Sequence, residues 1–82
     1  MNVEGRHPAT QQIAQHFEFE HLKTPLRGVS MQCHALAESM IRTLPDGPEL
    51  TAGLRKLLEA KDCFVRAALD TAQSSEIGRA HV

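Results

Sequence analysis

Apolar residues recur along this chain at helical spacing in three places, and no stretch alternates with the period of a strand. The first place follows His7-Pro8, where proline takes a favoured early helical position; Ile13, Ala14 and Phe17 then share a face and predict a short helix. Phe19, Leu22 and Leu26 come next, in a stretch with Lys23, Thr24, Pro25 and Gly28 that reads as a turn or an irregular crossing segment. From about Val29 to Leu44 the apolar positions are Cys33, Leu36, Ala37, Met40, Ile41 and Leu44. Glu38 and Arg42 lie on the other side, so a second helix is expected there. Leu44-Pro45-Asp46-Gly47-Pro48-Glu49 then supplies a stop, a tight turn and a start. Asp46 is the expected N-cap, with Glu49 three residues later in the manner of a capping box.

The third helix, from about Pro48 to Ala72, is the longest and would run roughly 37 Å. Leu50, Leu54, Leu57, Phe64 and Ala68 form one apolar row, and Leu58, Val65 and Leu69 widen it beyond what a single antiparallel helix covers. The expected fold is all-α: a short N-terminal helix followed by a long antiparallel helical hairpin, assembling as a homo-oligomer. Paired positions across the hairpin place Cys33 level with Cys63, as two buried thiols or a regulatory disulfide. Residues 1–6 are expected to be a flexible arm, 7–72 the hairpin domain and 73–82 a tail. The tail ends in IGRAHV, which continues no helical face and resembles one translated frame of a sequencing adapter; an assembly scar and an ordinary frayed end both fit.

Composition sharpens the expectation of assembly. With 82 residues, hydrophobic content of 41%, three Phe and neither Trp nor Tyr, the chain has a thin core of its own. Two cysteines are too few for a secreted disulfide scaffold, the N-terminal residues show no apolar leader, and no apolar run reaches the length of a membrane span. A reducing cytoplasm is therefore the expected compartment. Nine basic residues against ten acidic give a net charge of −1, which argues against gripping long nucleic acid through many phosphates. A small charged ligand remains compatible.

The search for chemistry is short. Cys33 and His34 are adjacent and point to different helix faces, no metal-binding spacing occurs, and no phosphate loop or nucleophile elbow is present. Neither a metal, a cofactor nor a catalytic residue is expected. Lys61 falls within the apolar row of the third helix, so its ammonium either meets an anion or covers apolar surface with its stem. Arg66 stands four residues from both Asp62 and Asp70, the spacing of a surface ion-pair ladder. Thr10, Lys23, Arg27 and Ser30 lie near Phe17, Phe19 and Leu26 in sequence, a mixture that suits nucleobases and phosphates or an ordinary interface.

The string from Pro48 to Ala67, above all E-A-K-D-x-x-V-R-A, resembles the helical-hairpin domain of phage-encoded sponge proteins that sequester cyclic nucleotide signals. His7-Pro8-Ala9-Thr10, the Phe17 to Leu22 stretch and Leu26-Arg27-Gly28-Val29-Ser30 look like the matching N-terminal half, so the resemblance covers about residues 7 to 70. The anti-CBASS sponges are most similar; the anti-Thoeris sponges share the hairpin and add an N-terminal domain. The resemblance implies a homohexamer in the cytoplasm of the infected bacterial host. It implies binding without cleavage of cyclic dinucleotides such as 3′,3′-cyclic GMP-AMP at one class of interface, and of cyclic trinucleotides such as cyclic tri-adenylate at another. Carried onto this chain, Arg66, Ser30 and Lys61 are the expected trinucleotide residues. Phe17 or Phe19, with a cation from Lys23 to Arg27, are the expected dinucleotide residues. The resemblance also leads one to expect a stacking Tyr, which this chain lacks.

Overall fold

The protein is described by a computed structural model that covers the backbone of residues 1–77 and the side chains of residues 1–70. The described residues are all-α, with α1 over Pro8–Ala14, a single 3-10 turn over Gln15–Phe17, α2 over Leu26–Thr43 and α3 over Pro48–Ile77. Pro8 opens α1, and the Nδ1 of His7 accepts the Ala9 N–H at 3.0 Å, so the imidazole caps the helix. Seven residues are too few for a helix to persist alone in water. The helix is held because Thr10, Ile13 and Ala14, with Phe17 in the following turn, are buried against α2 and α3.

α2 begins three residues earlier than the apolar pattern indicates. Pro25 already has helical dihedrals, and the Arg27 N–H donates to the Lys23 carbonyl at 2.8 Å, so the stretch expected to be irregular runs directly into the helix. Gly28 lies within the first turns; its cost of about 1 kcal/mol relative to Ala lowers helix propensity without ending the helix. α3 continues to Ile77, past the expected end at Ala72. Nothing between Gln73 and Ile77 is Gly or Pro, and propagation of a formed helix needs only one further backbone bond per residue, not an apolar face. Gly78 to Val82, the greater part of the suspected scar, lie outside the described residues.

α2 and α3 pack against each other: Val29 and Phe64 line one groove, while Leu44 and Leu50 line another near the connecting turn. The core consists of Ile13, Ala14, Phe17, Cys33, Ala37, Ile41, Leu50 and Leu54, with Met1, Val3, Met40, Leu57 and Leu58 packed against it. Met1 and Val3 belong to the segment expected to be an arm. The core occupies the end of the molecule near the turn, and farther along α3 the apolar row opens to solvent, Phe64 being 54% and Leu69 44% exposed.

Two sequence-based expectations are corrected here. Asp46 does not cap α3; its carboxylate reaches across to the N-terminal segment. There it accepts hydrogen bonds from Thr10 Oγ1 at 2.8 Å, the His7 N–H at 3.0 Å and Arg6 Nε at 3.1 Å, with Arg6 Nη2 at 2.9 Å. Arg6 also donates to the carbonyls of Ile41 and Leu44, capping the C-terminal end of α2. The second correction concerns the thiols. Cys33 is buried whereas Cys63 is exposed, because α3 turns the latter away from the core. Both are free thiols, so the disulfide alternative is not realised.

The donors from Arg6, His7 and Thr10 hold the Asp46 carboxyl well below the usual carboxylate range. A depressed folded-state value means a stabilising contribution present above the unfolded value, about 3.9, and lost progressively as pH falls toward the folded one. Thermal unfolding followed by circular dichroism is therefore expected to show a lower melting temperature for Asp46→Asn than for the parent at pH 7. The gap should narrow progressively as pH falls below about 4, where the carboxyl takes up a proton in the unfolded chain first and the parent's advantage erodes; a gap independent of pH would show that the carboxylate is not the fastening group.

Candidate functional site

Beyond the buried core, the 3-10 turn and the segment after it approach the middle of α3 and the start of α2. Between them lies an open cavity of about 430 Å³ lined by Gln15, His16, Glu18, His21, Leu22, Ser30, Lys61, Asp62, Val65 and Arg66. Each group reaches it for a local reason. Ser30 is carried on the inward face of α2, Lys61 and Val65 share a face of α3, and His16 sits where α1 tightens into the 3-10 turn.

Lys61 is held rather than waving in solvent. Its Nζ donates to the His16 carbonyl at 2.6 Å and stands 5.9 Å from the centre of the Phe17 ring. A lysine ammonium has three donors, and the His16 carbonyl occupies one of them. The same ammonium acts on Cys33: burial pushes that thiol's pKa up, and Lys61 partly opposes the rise. The ambiguity left by the sequence is thus resolved toward a fixed cation at the edge of the core, with its stem covering apolar surface.

Ser30 carries the site's unusual feature. Its residue is 0% exposed, and its Oγ has no hydrogen-bond partner among the described residues, although most buried polar atoms have one. Arg66 does not form the expected ladder: among the described residues it makes no ion pair with Asp62 or Asp70, and Nη2 instead lies 3.4 Å from Cys63 Sγ. The three residues expected to share a trinucleotide site, Ser30, Lys61 and Arg66, therefore line one cavity within a single protomer.

The expected dinucleotide residues are only partly assembled. Phe17 is 0% exposed and forms part of the core, so it offers no face for stacking within the protomer. Phe19 is half-buried; Arg27 lies over its ring at 5.7 Å and His34 meets it edge-on at 5.0 Å. His34 in turn donates from Nδ1 to the Phe17 carbonyl at 3.1 Å, which ties this aromatic cluster to the 3-10 turn. Lys23 is exposed and lies just before α2, one helical turn ahead of Arg27. Glu20, beside this cluster, has its pKa lowered chiefly by its own backbone N–H, with a smaller contribution from that of Phe19. Thr10, grouped by sequence with these residues, is buried and bound to Asp46 instead.

The sequence reading missed Glu18, His21 and Asp62 as neighbours of the cation pair, and it missed the part played by the His16 backbone. Only the i, i+4 spacing of Asp62 and Arg66 hinted at a shared face. Among the described residues no group of three or more His, Cys, Asp or Glu is placed to hold a metal ion, and no helix is long and apolar enough to cross a membrane. No protein-family model, curated protein or solved structure matches this chain.

An unpartnered buried hydroxyl costs stability, and replacing it by a methyl group removes that cost. Ser30→Ala is expected to raise stability by about 1 kcal/mol in urea denaturation. A substantial loss of stability would show that Oγ already has a partner in the folded protein.

Proposed function

We propose that this chain is a cyclic-oligonucleotide sponge: a helical-hairpin protein that assembles as a homohexamer, holds cyclic di- and trinucleotide second messengers without cleaving them, and so starves CBASS effectors in an infected bacterial cell. The observation that carries the reading is the convergence of Ser30, Lys61 and Arg66 on one cavity, where the Ser30 hydroxyl has no partner among the described residues. A phosphate diester fits this set. It accepts from a hydroxyl, an ammonium and a guanidinium, and charge-assisted bonds of this kind are stronger than neutral ones. Three protomers around an axis would supply one such set to each phosphate of a cyclic trinucleotide, which requires no strongly basic monomer.

For cyclic dinucleotides such as 3′,3′-cyclic GMP-AMP, the reading rests on Phe19 with Arg27, and on Lys23 from the segment between them. The ring already has one cation over it and an exposed environment nearby. Without a Tyr, stacking falls to Phe19 alone, so this second site is the weaker of the two.

A different observation favours a second reading. Met31, Leu36, Leu44, Phe64 and Leu69 are large apolar residues exposed on a small protein. They suit a hairpin that oligomerises or docks on a protein partner with no nucleotide ligand. Calorimetry against cyclic tri-adenylate and 3′,3′-cyclic GMP-AMP separates the two, since a sponge binds at least one saturably and a scaffold binds neither. Arg66→Ala is expected to weaken cyclic tri-adenylate at least about 10-fold, the scale of a lost charge-assisted contact. Intact ligand should be recovered on denaturation, and recovery of a linear product would replace the sponge with an enzyme. Sedimentation of a strictly monomeric protein would remove the hexamer.

A further inference from the structure

The cavity that holds Ser30, Lys61 and Arg66 also holds two carboxylates, Glu18 and Asp62, and this is an odd provision for a site meant only for anions. The exposed Asp62 carboxylate has neither an ion pair nor a hydrogen-bond partner among the described residues; the ladder with Arg66 that its spacing suggests is not formed. An uncompensated carboxylate repels phosphate. It contributes favourably only if the ligand brings hydrogen-bond donors to it.

The dimensions say which part of a nucleotide would do so. A cavity of about 430 Å³ lies toward the small end of ligand pockets and suits one nucleotide unit per protomer, not a whole ring. If the phosphate lies against Lys61, Arg66 and the unpartnered Ser30 hydroxyl, the base occupies the remainder, with Val65 and Leu22 against its face. Asp62 stands on α3 one turn before Arg66, a rise of about 6 Å. The edge of guanine presents N1–H and the N2 amino group side by side, two donors that match the two oxygens of a carboxylate. Adenine offers one donor beside the acceptor N1, which faces the second carboxylate oxygen unfavourably.

We infer that Asp62 is a specificity-determining residue that makes this cavity prefer guanine over adenine, through a bidentate, charge-assisted pair with the guanine edge. The inference rests on the sponge reading of the same site and adds the identity of the base to it.

The experiment is calorimetry of the full chain against cyclic tri-guanylate, cyclic tri-adenylate and cyclic tri-inosinate, which share a ring and differ only in the base edge. Cyclic tri-guanylate is expected to bind about 10-fold or more tighter than cyclic tri-adenylate, within the range of a good bidentate contact. The inosine ligand lacks the N2 amino group and should fall between them. In Asp62→Asn the guanine preference should shrink to about threefold or less, because the amide pairs with either base. Glu18→Gln, the control on the other carboxylate, should keep it. Equal affinity of the parent for the guanine and adenine ligands, or a preference that survives Asp62→Asn, overturns the assignment of Asp62 while leaving the sponge intact. Absence of binding to all three trinucleotides overturns the sponge reading of this cavity and the base preference together.

Discussion

The Asp46 carboxylate gathers the guanidinium of Arg6, the hydroxyl of Thr10 and the backbone N–H of His7 onto the turn between α2 and α3. A seven-residue helix cannot stand alone, so its position depends on being docked at both ends. Asp46 supplies the first end, and burial of Ile13, Ala14 and Phe17 supplies the other. Once α1 is placed, the 3-10 turn that follows must deliver the His16 carbonyl to Lys61, and the wall of the polar cavity follows from that. A surface ion pair is ordinarily worth little. This one matters for what it orients: the same guanidinium closes the end of α2 by donating to the carbonyls of Ile41 and Leu44.

α3 serves two environments along adjoining faces. Leu57 and Phe64 share an apolar groove with Val29, Gln32, Cys33 and Leu36 of α2, whereas Lys61, Asp62, Val65 and Arg66 border the polar cavity. The helix has apolar width for both a protomer core and further contacts, since Leu50 and Leu54 are sealed while Phe64 and Leu69 are open. A single chain of this size thus leaves uncovered what a larger protein would bury. The exposed apolar row and the polar cavity are neighbours on one rod, so an assembly that covers the former would border the latter.

Much of the fold was legible because it is written in local periodicity. The three helices, the proline opening α1 and the wide stripe of α3 are all matters of spacing between near neighbours. What escaped was long-range or conformational. Asp46 sits in a position that short-range rules assign to capping α3, yet its partners are some forty residues away, where no spacing rule reaches. The burial of Phe17 rather than Phe19 depended on where the 3-10 turn ends, because the extended backbone at Glu18 sends consecutive aromatics into different surroundings. The spacing put Cys63 level with Cys33, but a level along a helix does not fix direction, and the thiol is exposed. Of the candidate site, the grouping of Ser30, Lys61 and Arg66 came through resemblance. The carboxylates and the backbone carbonyl around them had no sequence signal beyond one helical interval.

Lys61 finally illustrates how folding can prepare a group for encounters that come later. A free lysine samples many rotamers, and fixing it costs up to about 2 kcal/mol of side-chain entropy. Here the His16 carbonyl and the Phe17 ring restrain the ammonium during folding. The loss is met when the chain orders itself, so an anion binding there would find the charge already localised. Such pre-organisation favours slow release more than fast capture, because it spares the complex an ordering cost without extending the reach of the field.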